Sequence, residues 1–298
     1  MGLLSIVDVA APAKLNLFLH VVGRRDDGYH LLQSLFVLID WCDTLHFERR
    51  SDGAVARHDL GVALPADDLC TRAARLLQRE SGTALGVDIS IDKQLPSGAG
   101  MGGGSSDAAS TLLALNRLWG LGWSGARLLE AALKLGADVP FFVGGRNALV
   151  EGIGERLTPV NVPVEWLAVV KPAASIETRA LFASPLLERN SQPVILEGFV
   201  VNQEIGASVI APGFTGFGRN DLQAAAEAEC EQVVQAAKAL HRQFGNSRMT
   251  GSGSAVFARA GTGERPTAAL PAGLAPGWSG RMCRSLDAHP LVGWAADC

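Results

Sequence analysis

The sequence predicts an α+β fold divided into two domains. Its 298 residues exceed the length of one typical domain. Segments with the alternating pattern of strands are mixed with helix-like segments, and no single strand–helix unit repeats along the chain. Two prolines, Pro159 and Pro163, interrupt this pattern near the middle. We therefore place the boundary there and predict one domain at residues 1–162 and a second at residues 163–298.

The composition is typical of a reduced protein with a small-molecule partner. The net charge is −4 and no run of like charges stands out, which argues against nucleic acid or an anionic membrane as partner. The five cysteines include no C-x-x-C pair, so neither a disulfide framework nor a zinc site is predicted. The first residues lack the basic start of a signal peptide, and the apolar runs fall far short of the ~20 residues of a membrane helix. We expect a cytoplasmic protein. The sequence leaves its oligomeric state open.

The first long strand is predicted at residues 14–22, where apolar side chains alternate. One face of this strand would carry Leu15, Leu17, Leu19 and Val21. The opposite face would carry Lys14, Asn16 and His20 together with Phe18. A polar turn at Gly23–Tyr29 leads to strand-like runs at 31–39 and 44–49, which residues 40–43 would join as a hairpin.

The following segments switch between helical and strand periodicity. A helix is predicted at Asp67–Glu80, with Asp67 or Asp68 as its N-cap. Further helices are expected at 105–119, 124–135 and 177–182, and strands at 86–93, 147–151 and 166–170. Asn220 and Asp221 would cap one long alanine-rich helix that ends near Phe244. A strand–turn–strand unit surrounds residues 250–254, and no element is assigned to residues 190–218.

A glycine-rich loop, LPSGAGMGGGSSDAA at residues 95–109, lies between a predicted strand and a predicted helix. Five glycines within residues 98–104 let backbone N–H groups approach a ligand, and the helix N-terminus adds unpaired N–H groups and a positive dipole end. A flexible linker fits poorly between two such strong elements. The spacing matches neither G-x-G-x-x-G in the dinucleotide-binding register nor G-x-x-x-x-G-K-[ST]. We predict a polyphosphate site formed by Pro96, Ser97, Gly98, Ala99, Gly100, Met101, Gly102, Gly103, Gly104, Ser105 and Ser106.

The loop resembles the second motif of the GHMP kinases, which phosphorylate small molecules such as galactose, homoserine and mevalonate. Three further segments narrow the resemblance: PAKLNL at 12–17 with GYHL at 28–31, LGADVP at 135–140 and TGSGS at 250–254. They resemble the branch whose substrate carries a cytidine diphosphate group. Together the matches span residues 9–258.

The resemblance implies a two-domain fold with the active site in the cleft between the domains. It implies ATP as co-substrate, Mg²⁺ as its accompanying ion, and phosphorylation of the 2-hydroxyl of a cytidine-diphosphate-linked methylerythritol in isoprenoid precursor synthesis. Neither the number of metal ions nor their ligands can be assigned from the sequence.

Two residues are expected to be catalytic. Asp138 would accept the proton of the substrate hydroxyl as that oxygen attacks the γ-phosphate. Without the resemblance, an aspartate before Val-Pro would more simply be an N-cap or turn residue. Lys14 would stabilise the Asp138 carboxylate and the charge that develops during transfer, although a lysine on a polar strand face is by default a solvated one.

The resemblance also assigns the substrate-binding residues. Asn16 would position the substrate hydroxyl. Tyr29, the one tyrosine of the chain, and His30 would hold the cytosine. Phe182 corresponds to a second aromatic that stacks on the base, although alone it would be a core residue of a short helix. Thr178 is a weaker candidate beside it.

One departure from the family concerns the nucleotide. Asp68 stands where the family usually has an asparagine that reads adenine, so we place Asp68 in the ATP site. An amide donates and accepts hydrogen bonds, whereas an ionised carboxylate only accepts. Either another group donates, or base selectivity is looser. The turn at 250–254 would pack against the phosphate loop, or be an ordinary glycine hairpin without ligand contact.

Two other functions stay open at this stage. A different GHMP kinase, for homoserine or mevalonate, would share the loop, but Tyr29 and His30 argue against it. A nucleotide-binding protein without catalysis would share the fold, but the presence of Lys14 and Asp138 argues against it.

Overall fold

The protein is described by a computed structural model that covers residues 2–194, 199–202, 207–210 and 217–295. The strands in these ranges are β1 (Ser5–Arg24), β2 (His30–Arg50), β3 (Val55–Asp59), β4 (Gly86–Asp92), β5 (Ala148–Gly152), β6 (Arg156–Asn161), β7 (Trp166–Lys171), β8 (Phe199–Asn202), β9 (Ala207–Ile210), β10 (Arg248–Met249), β11 (Val256–Arg259) and β12 (Ser279–Arg284). The helices are α1 (Leu69–Ser81), α2 (Gly103–Leu118), α3 (Gly125–Leu133), α4 (Val139–Gly144), α5 (Thr178–Ala183), α6 (Gln223–Glu229) and α7 (Glu231–Phe244).

The strands form two sheets. The larger sheet has the order β3-β4-β2-β5-β6-β9-β8, with β1 also paired antiparallel to β2 along nearly its whole length. The smaller sheet has the order β10-β11-β7-β12. Mixed helix and sheet content of this kind confirms the α+β prediction. No helix among the described residues is long and apolar enough to cross a membrane.

The apolar core arranges these elements in layers. One cluster joins helices α1 to α4 to one face of the larger sheet, through residues such as Leu38, Phe47 and Ile89. A second joins the opposite face to the smaller sheet, with Leu15, Val37 and Ile39 in the same cluster as Leu167, Val169 and Phe257. A third packs the smaller sheet against α6 and α7. The larger sheet is thus covered on both faces, and for this reason β1 is buried on both sides from residue 11 to residue 21.

Most predicted helices and strands are present within two residues of the expected ends. Helix α1 begins after Asp68, whose carboxylate accepts hydrogen bonds from the backbone N–H groups of Cys70 and Thr71. Ser124 caps α3 in the same way. Capping side chains and apolar periodicity are local features, and these predictions are confirmed.

The predicted hairpin at residues 31–49 is wrong, because β2 runs through it as one strand. Residues 40–43 do not turn the chain. They bulge, since Pro12 pairs with Cys42 and Ala13 with Ile39. Their carboxylates bond other segments: Asp43 accepts from the N–H groups of Gln94 and Leu95. The polar residues that resembled a turn signal are tertiary hydrogen-bond partners.

The predicted faces of the first strand are correct only up to Asn16. Asn16 pairs with Phe36 and Leu19 pairs with Ser34, so β1 contains one extra residue between these two pairs. A bulge of one residue exchanges the two faces of the strand beyond it. Leu19 therefore lines the same cavity as Lys14 and Asn16. The predicted grouping of Phe18 and His20 with Lys14 and Asn16 is wrong, because neither ring lines this cavity and the two pack beside each other.

The long alanine-rich helix is also different from the prediction. It is two helices, α6 and α7, because Cys230 between them has an extended backbone. Asn220 accepts from the N–H group of Leu222 just before α6, and the two expected caps also bond distant residues. Asp221 accepts from the N–H group of Val21, and the Asn220 amide donates to the carbonyl oxygens of Met249 and Gly251. Of the unassigned stretch 190–218, the structure describes residues 190–194 and 217–218 as well as β8 and β9, and residues 195–198, 203–206 and 211–216 lie outside the described residues.

Candidate active site

The glycine loop between β4 and α2 is held in a tight conformation. Gly100 and Gly102 both have φ of +71°, a region that side chains other than glycine's rarely adopt. A Cβ atom at Gly100 would lie 2.4 Å from the carbonyl oxygen of Thr250, and one at Gly102 would lie 3.0 Å from the ring of Phe142. The loop is also tied to β1, since the Lys14 N–H group donates to the carbonyl of Met101 at 3.0 Å. These glycines are needed for close packing, and the loop is not a flexible linker.

A cavity of about 380 Å³, here called the loop cavity, lies against this segment. Pro96 to Ser105 line it from one side, and Leu64, Asp68, Leu69 and Cys70 line it from the β3–α1 side. Helix α2 begins at the cavity with Gly102 as N-cap and no capping side chain, so its first N–H groups remain free to bind an anion. Ser106 is fully buried, and its hydroxyl has no hydrogen-bond partner within the described ranges.

A second cavity of about 210 Å³, here called the lysine cavity, adjoins the first. Gly100 and Gly102 line both cavities, so the two spaces meet at the glycine loop. The lining comes from distant parts of the chain and includes Lys14, Asn16, Ser34, Phe36, Asp138, Thr178, Phe182, Gly251 and Ser252.

Lys14, Asn16 and Asp138 form one polar group in the lysine cavity. The Lys14 ammonium lies 2.6 Å from the Asn16 carbonyl oxygen, 3.6 Å from an Asp138 carboxylate oxygen and 4.2 Å from the centre of the Phe36 ring. Lys14 is 3% exposed. Burial lowers the pKa of Lys14 below the ordinary lysine value, and the Asp138 carboxylate opposes that shift. A buried ammonium with few hydrogen-bond partners attracts negative charge strongly.

Asp138 precedes α4 at the N-cap position but makes no capping hydrogen bond. Its backbone is helical there, with φ of −85° and ψ of −15°, rather than extended as in most caps. The carboxylate instead faces Lys14 and is 32% exposed to solvent. The alternative that Asp138 simply caps a helix therefore lacks its expected hydrogen bond.

Of the residues predicted to bind the base, two are in contact with each other and one lies apart from the lysine cavity. The rings of His30 and Phe182 are stacked, with centroids 4.8 Å apart and planes 23° from parallel. The Nε2 atom of His30 is buried and has no hydrogen-bond partner in the part of the chain that is described. Tyr29 is 62% exposed in the β1–β2 turn and does not line the lysine cavity. Thr178 does line it, and its hydroxyl lies 2.7 Å from that of Ser252.

The turn at residues 250–254 packs directly on the glycine loop. The N–H group of Ser254 donates to the carbonyl of Gly98 at 3.2 Å. The Thr250 hydroxyl accepts from the N–H group of Asn16 at 2.8 Å, and Gly251 and Ser252 line the lysine cavity. The turn therefore packs against the loop and lines the lysine cavity, as the first of the two alternatives requires.

Sequence reasoning missed a buried charged cluster on the loop cavity. Lys93 donates to carboxylates of both Asp43 and Asp107. Burial raises the pKa of Asp107 above its ordinary range against the charge of Lys93, and the nearby Asp43 carboxylate adds to the rise. Asp43 also accepts from the backbone N–H groups of Gln94 and Leu95. In the sequence, only Lys93 and Asp107 on either side of the glycine loop could have indicated this cluster. Asp43 lies fifty residues before Lys93 and could not be connected with it.

A glycine loop at a helix N-terminus, joined to a cavity with a buried lysine and a free aspartate, defines the class of a small-molecule kinase. Comparison with known proteins agrees. Residues 68–146 match the family model described as GHMP kinases N terminal domain, and residues 210–272 match GHMP kinases C terminal. The chain belongs to the GHMP kinase family.

Individual similar proteins carry more specific names than the two family models. The chain is 64% identical over 297 residues to a 4-diphosphocytidyl-2-C-methyl-D-erythritol kinase of Methylibium petroleiphilum, covering 99% of this chain and 100% of that one. It is 54% identical to a protein of the same name from Albidiferax ferrireducens, over 98% of this chain and 96% of that one. A crystal structure of 4-(cytidine 5'-diphospho)-2C-methyl-D-erythritol kinase matches with a TM-score of 0.70 and 35% identity, over 87% of this chain and 90% of that one. The homoserine kinase of Cytophaga hutchinsonii, with a TM-score of 0.65 and 16% identity over 96% of this chain and 95% of that one, shares the fold.

Proposed function

We propose that the chain transfers the γ-phosphoryl group of ATP to the 2-hydroxyl of 4-diphosphocytidyl-2-C-methyl-D-erythritol, a step in the methylerythritol phosphate route to isoprenoid precursors. The observation that carries the proposal is the junction of the loop cavity and the lysine cavity at Gly100 and Gly102. A nucleotide whose phosphates bind the glycine loop would place its γ-phosphate next to an acceptor hydroxyl in the lysine cavity. The relatives named for this substrate support its identity.

Asp138 is the proposed general base. Its carboxylate is free of capping bonds and lines the lysine cavity, so it can accept the proton of a hydroxyl placed there. Phosphoryl transfer requires mainly positioning and charge stabilisation, and removal of this proton late in transfer is all that the base must do.

Lys14 is the proposed electrostatic partner. Its ammonium lies beside Asp138, and its aliphatic stem packs beside the glycine loop, since a Cβ at Gly102 would be only 3.4 Å from its Cγ atom. In a buried setting this charge stabilises both the carboxylate and the negative charge that develops between acceptor and phosphate. Asn16 holds the ammonium in place through its carbonyl oxygen, while its amide donates to the hydroxyl of Ser34.

The loop from Pro96 to Ser106 is the proposed phosphate site, and Asp68 forms part of the opposite wall of the same cavity. Mg²⁺ would neutralise charge on the phosphates. No group of three His, Cys, Asp or Glu side chains in the described residues could hold a metal ion. The hydroxyls of Ser105 and Ser106 at the start of α2 fit an ion carried mainly by the nucleotide, because Mg²⁺ commonly takes few protein ligands beside phosphates.

His30 and Phe182 are the proposed cytosine-binding residues, with Thr178 beside them. Phe182 lines the lysine cavity and its ring stacks on that of His30, so the pair offers an apolar surface to a planar base, and the buried Nε2 atom of His30 has no hydrogen-bond partner among the described residues. Tyr29 would reach the base from its exposed turn. Use of ATP and the absence of paired cysteines in the sequence fit a cytoplasmic location.

A substrate panel tests the proposal. The purified protein is mixed with ATP, Mg²⁺ and, separately, the cytidyl substrate, homoserine or mevalonate, and products are read by mass and phosphorus NMR. We expect one added phosphate on the cytidyl substrate, at the 2-hydroxyl. Transfer to homoserine or mevalonate alone, or ATP binding without transfer to any of the three, would contradict it.

A further inference from the structure

Arg57 of β3 uses every donor of its guanidinium group within a small region next to the loop cavity. Its Nε and Nη2 atoms donate to the two carboxylate oxygens of Asp59, at 2.7 and 3.1 Å. Nη2 also donates to the carbonyl of Leu64 at 3.0 Å, and Nη1 donates to the carbonyl of Pro65 at 2.9 Å and to a carboxylate oxygen of Asp68. A guanidinium has five N–H donors, so none is left. The side chain is 9% exposed.

These bonds fix the connection between β3 and α1, residues 60–68. Asp59 contributes as well, since it accepts from the N–H group of Leu64 at 2.9 Å. The connection supplies Leu64 and Asp68 to the wall of the loop cavity that faces the glycine segment. The segment is thus held by two side chains, the planar and fully bonded Arg57 and its partner Asp59.

The same contacts occupy the carboxylate of Asp68. One oxygen accepts from the N–H groups of Cys70 and Thr71, at 2.6 and 3.2 Å. The other accepts from the Thr71 hydroxyl at 2.9 Å and from Arg57. A carboxylate offers about four acceptor positions, and all four are used. Asp68 therefore has no free lone pair for an amine of a bound base.

We propose that Arg57 is a positioning residue for the nucleotide. It holds the 60–68 connection as one wall of the loop cavity and keeps the Asp68 carboxylate bonded to the protein rather than to the base. Asp68 then contributes to the site by holding Arg57 and the start of α1 in place, and not by binding the base. The inference rests on the proposed function, because it assigns the nucleotide to the loop cavity.

A double-mutant cycle with Arg57→Gln, Asp68→Ser and the double variant tests this role. Serine is as good an N-cap as aspartate, so Asp68→Ser removes chiefly the ion pair and introduces no amide that could bind the base. We expect each single variant to raise the KM for ATP by about tenfold, the effect of losing one charge-assisted contact that orders the wall. The double variant should be no worse than either single variant. The KM for the cytidyl substrate and kcat should change less than about threefold.

The matched control is Arg50→Gln. Arg50 bonds Asp52 and Asp88 on the same sheet and lines neither cavity of the candidate site, so its loss should leave the KM for ATP unchanged. If Arg57→Gln does not fold, Arg57→Lys replaces it and is judged by the same criteria, because lysine keeps the charge but lacks the planar set of guanidinium donors.

ATP binding by the unmodified protein is measured separately by calorimetry, and its absence would reject the proposed function. With ATP bound normally, additive effects of the two variants, or an unchanged KM for ATP in both, would reject the role of Arg57.

Discussion

Replacing Gly100 by alanine tests two properties of the glycine loop, its left-handed backbone and its close packing against the turn at residues 250–254. Gly100 has φ of +71°, and its added Cβ would lie 2.4 Å from the carbonyl oxygen of Thr250 and 3.0 Å from the nitrogen of Gly253. Both neighbours are backbone atoms and cannot rotate away. Gly120 provides the matched control, because its φ is +65° and nothing lies within 4 Å of its added Cβ.

The expected cost follows from these two terms. A left-handed backbone costs a residue other than glycine about 1–2 kcal/mol, and this term applies to both variants. Overlap with close-packed atoms costs about 1–3 kcal/mol more, and this term applies to Gly100→Ala alone. Because the loop must move away from the turn at residues 250–254, the KM for ATP should also rise by at least about tenfold in Gly100→Ala only.

Denaturant unfolding and steady-state kinetics measure the two effects. We expect Gly100→Ala to be the less stable variant by about 1–3 kcal/mol, with a raised KM for ATP that Gly120→Ala lacks. Equal stabilities for the two variants, or an unchanged KM for ATP in Gly100→Ala, would show that the packing of loop on turn does not constrain the site.

Two further predictions concern the base-binding rings and a buried histidine. Phe182→Ala and Tyr29→Ala should each raise the KM for the cytidyl substrate more than the KM for ATP, as stacking requires, and equal effects in steady-state assays would argue against it. Burial lowers the pKa of His289 from 6.5 to about 4. The unfolded chain therefore binds a proton that the folded chain does not between these values, and the free energy of unfolding should fall by up to about 3 kcal/mol as pH drops from 6.5 to 4. His289→Asn, which can still accept from the N–H group of Leu291, should show a shallower fall in denaturant titrations, and an unchanged slope would contradict this.

The parts of the fold that depend on local chemistry could be predicted from the sequence. The glycine loop lies between a strand and a helix because five glycines are followed by a helix-forming segment. Asp68 was recognisable as a cap because a capping side chain bonds N–H groups two or three residues away. Asp138 was singled out by a family motif, and the structure adds that its carboxylate makes no capping bond.

Other parts depend on contacts between distant residues, and local patterns do not encode them. The bulge after Asn16 exchanges the faces of β1, so alternation alone misplaced Leu19 and His20. Residues 40–43 look like a turn because their polar groups bond Gln94, Leu95 and Arg284, which are far along the chain. The ionic clusters at Lys93 and Arg57 were missed for the same reason.

In the proposed function, phosphoryl transfer depends on Asp138 acting on a hydroxyl at the junction of the two cavities. The direct test is Asp138→Asn, with kcat measured at saturating substrates and the Kd of ATP and of the cytidyl substrate measured by calorimetry. Because Asp138 makes no capping bond, α4 should form as before, although stability should fall because the buried Lys14 loses its charge partner. We predict that kcat falls by roughly a hundred- to ten-thousand-fold, as expected for loss of a general base, while both Kd values stay within about threefold. A kcat within about tenfold of the unmodified protein, or a loss that appears only in Kd, would contradict the assignment.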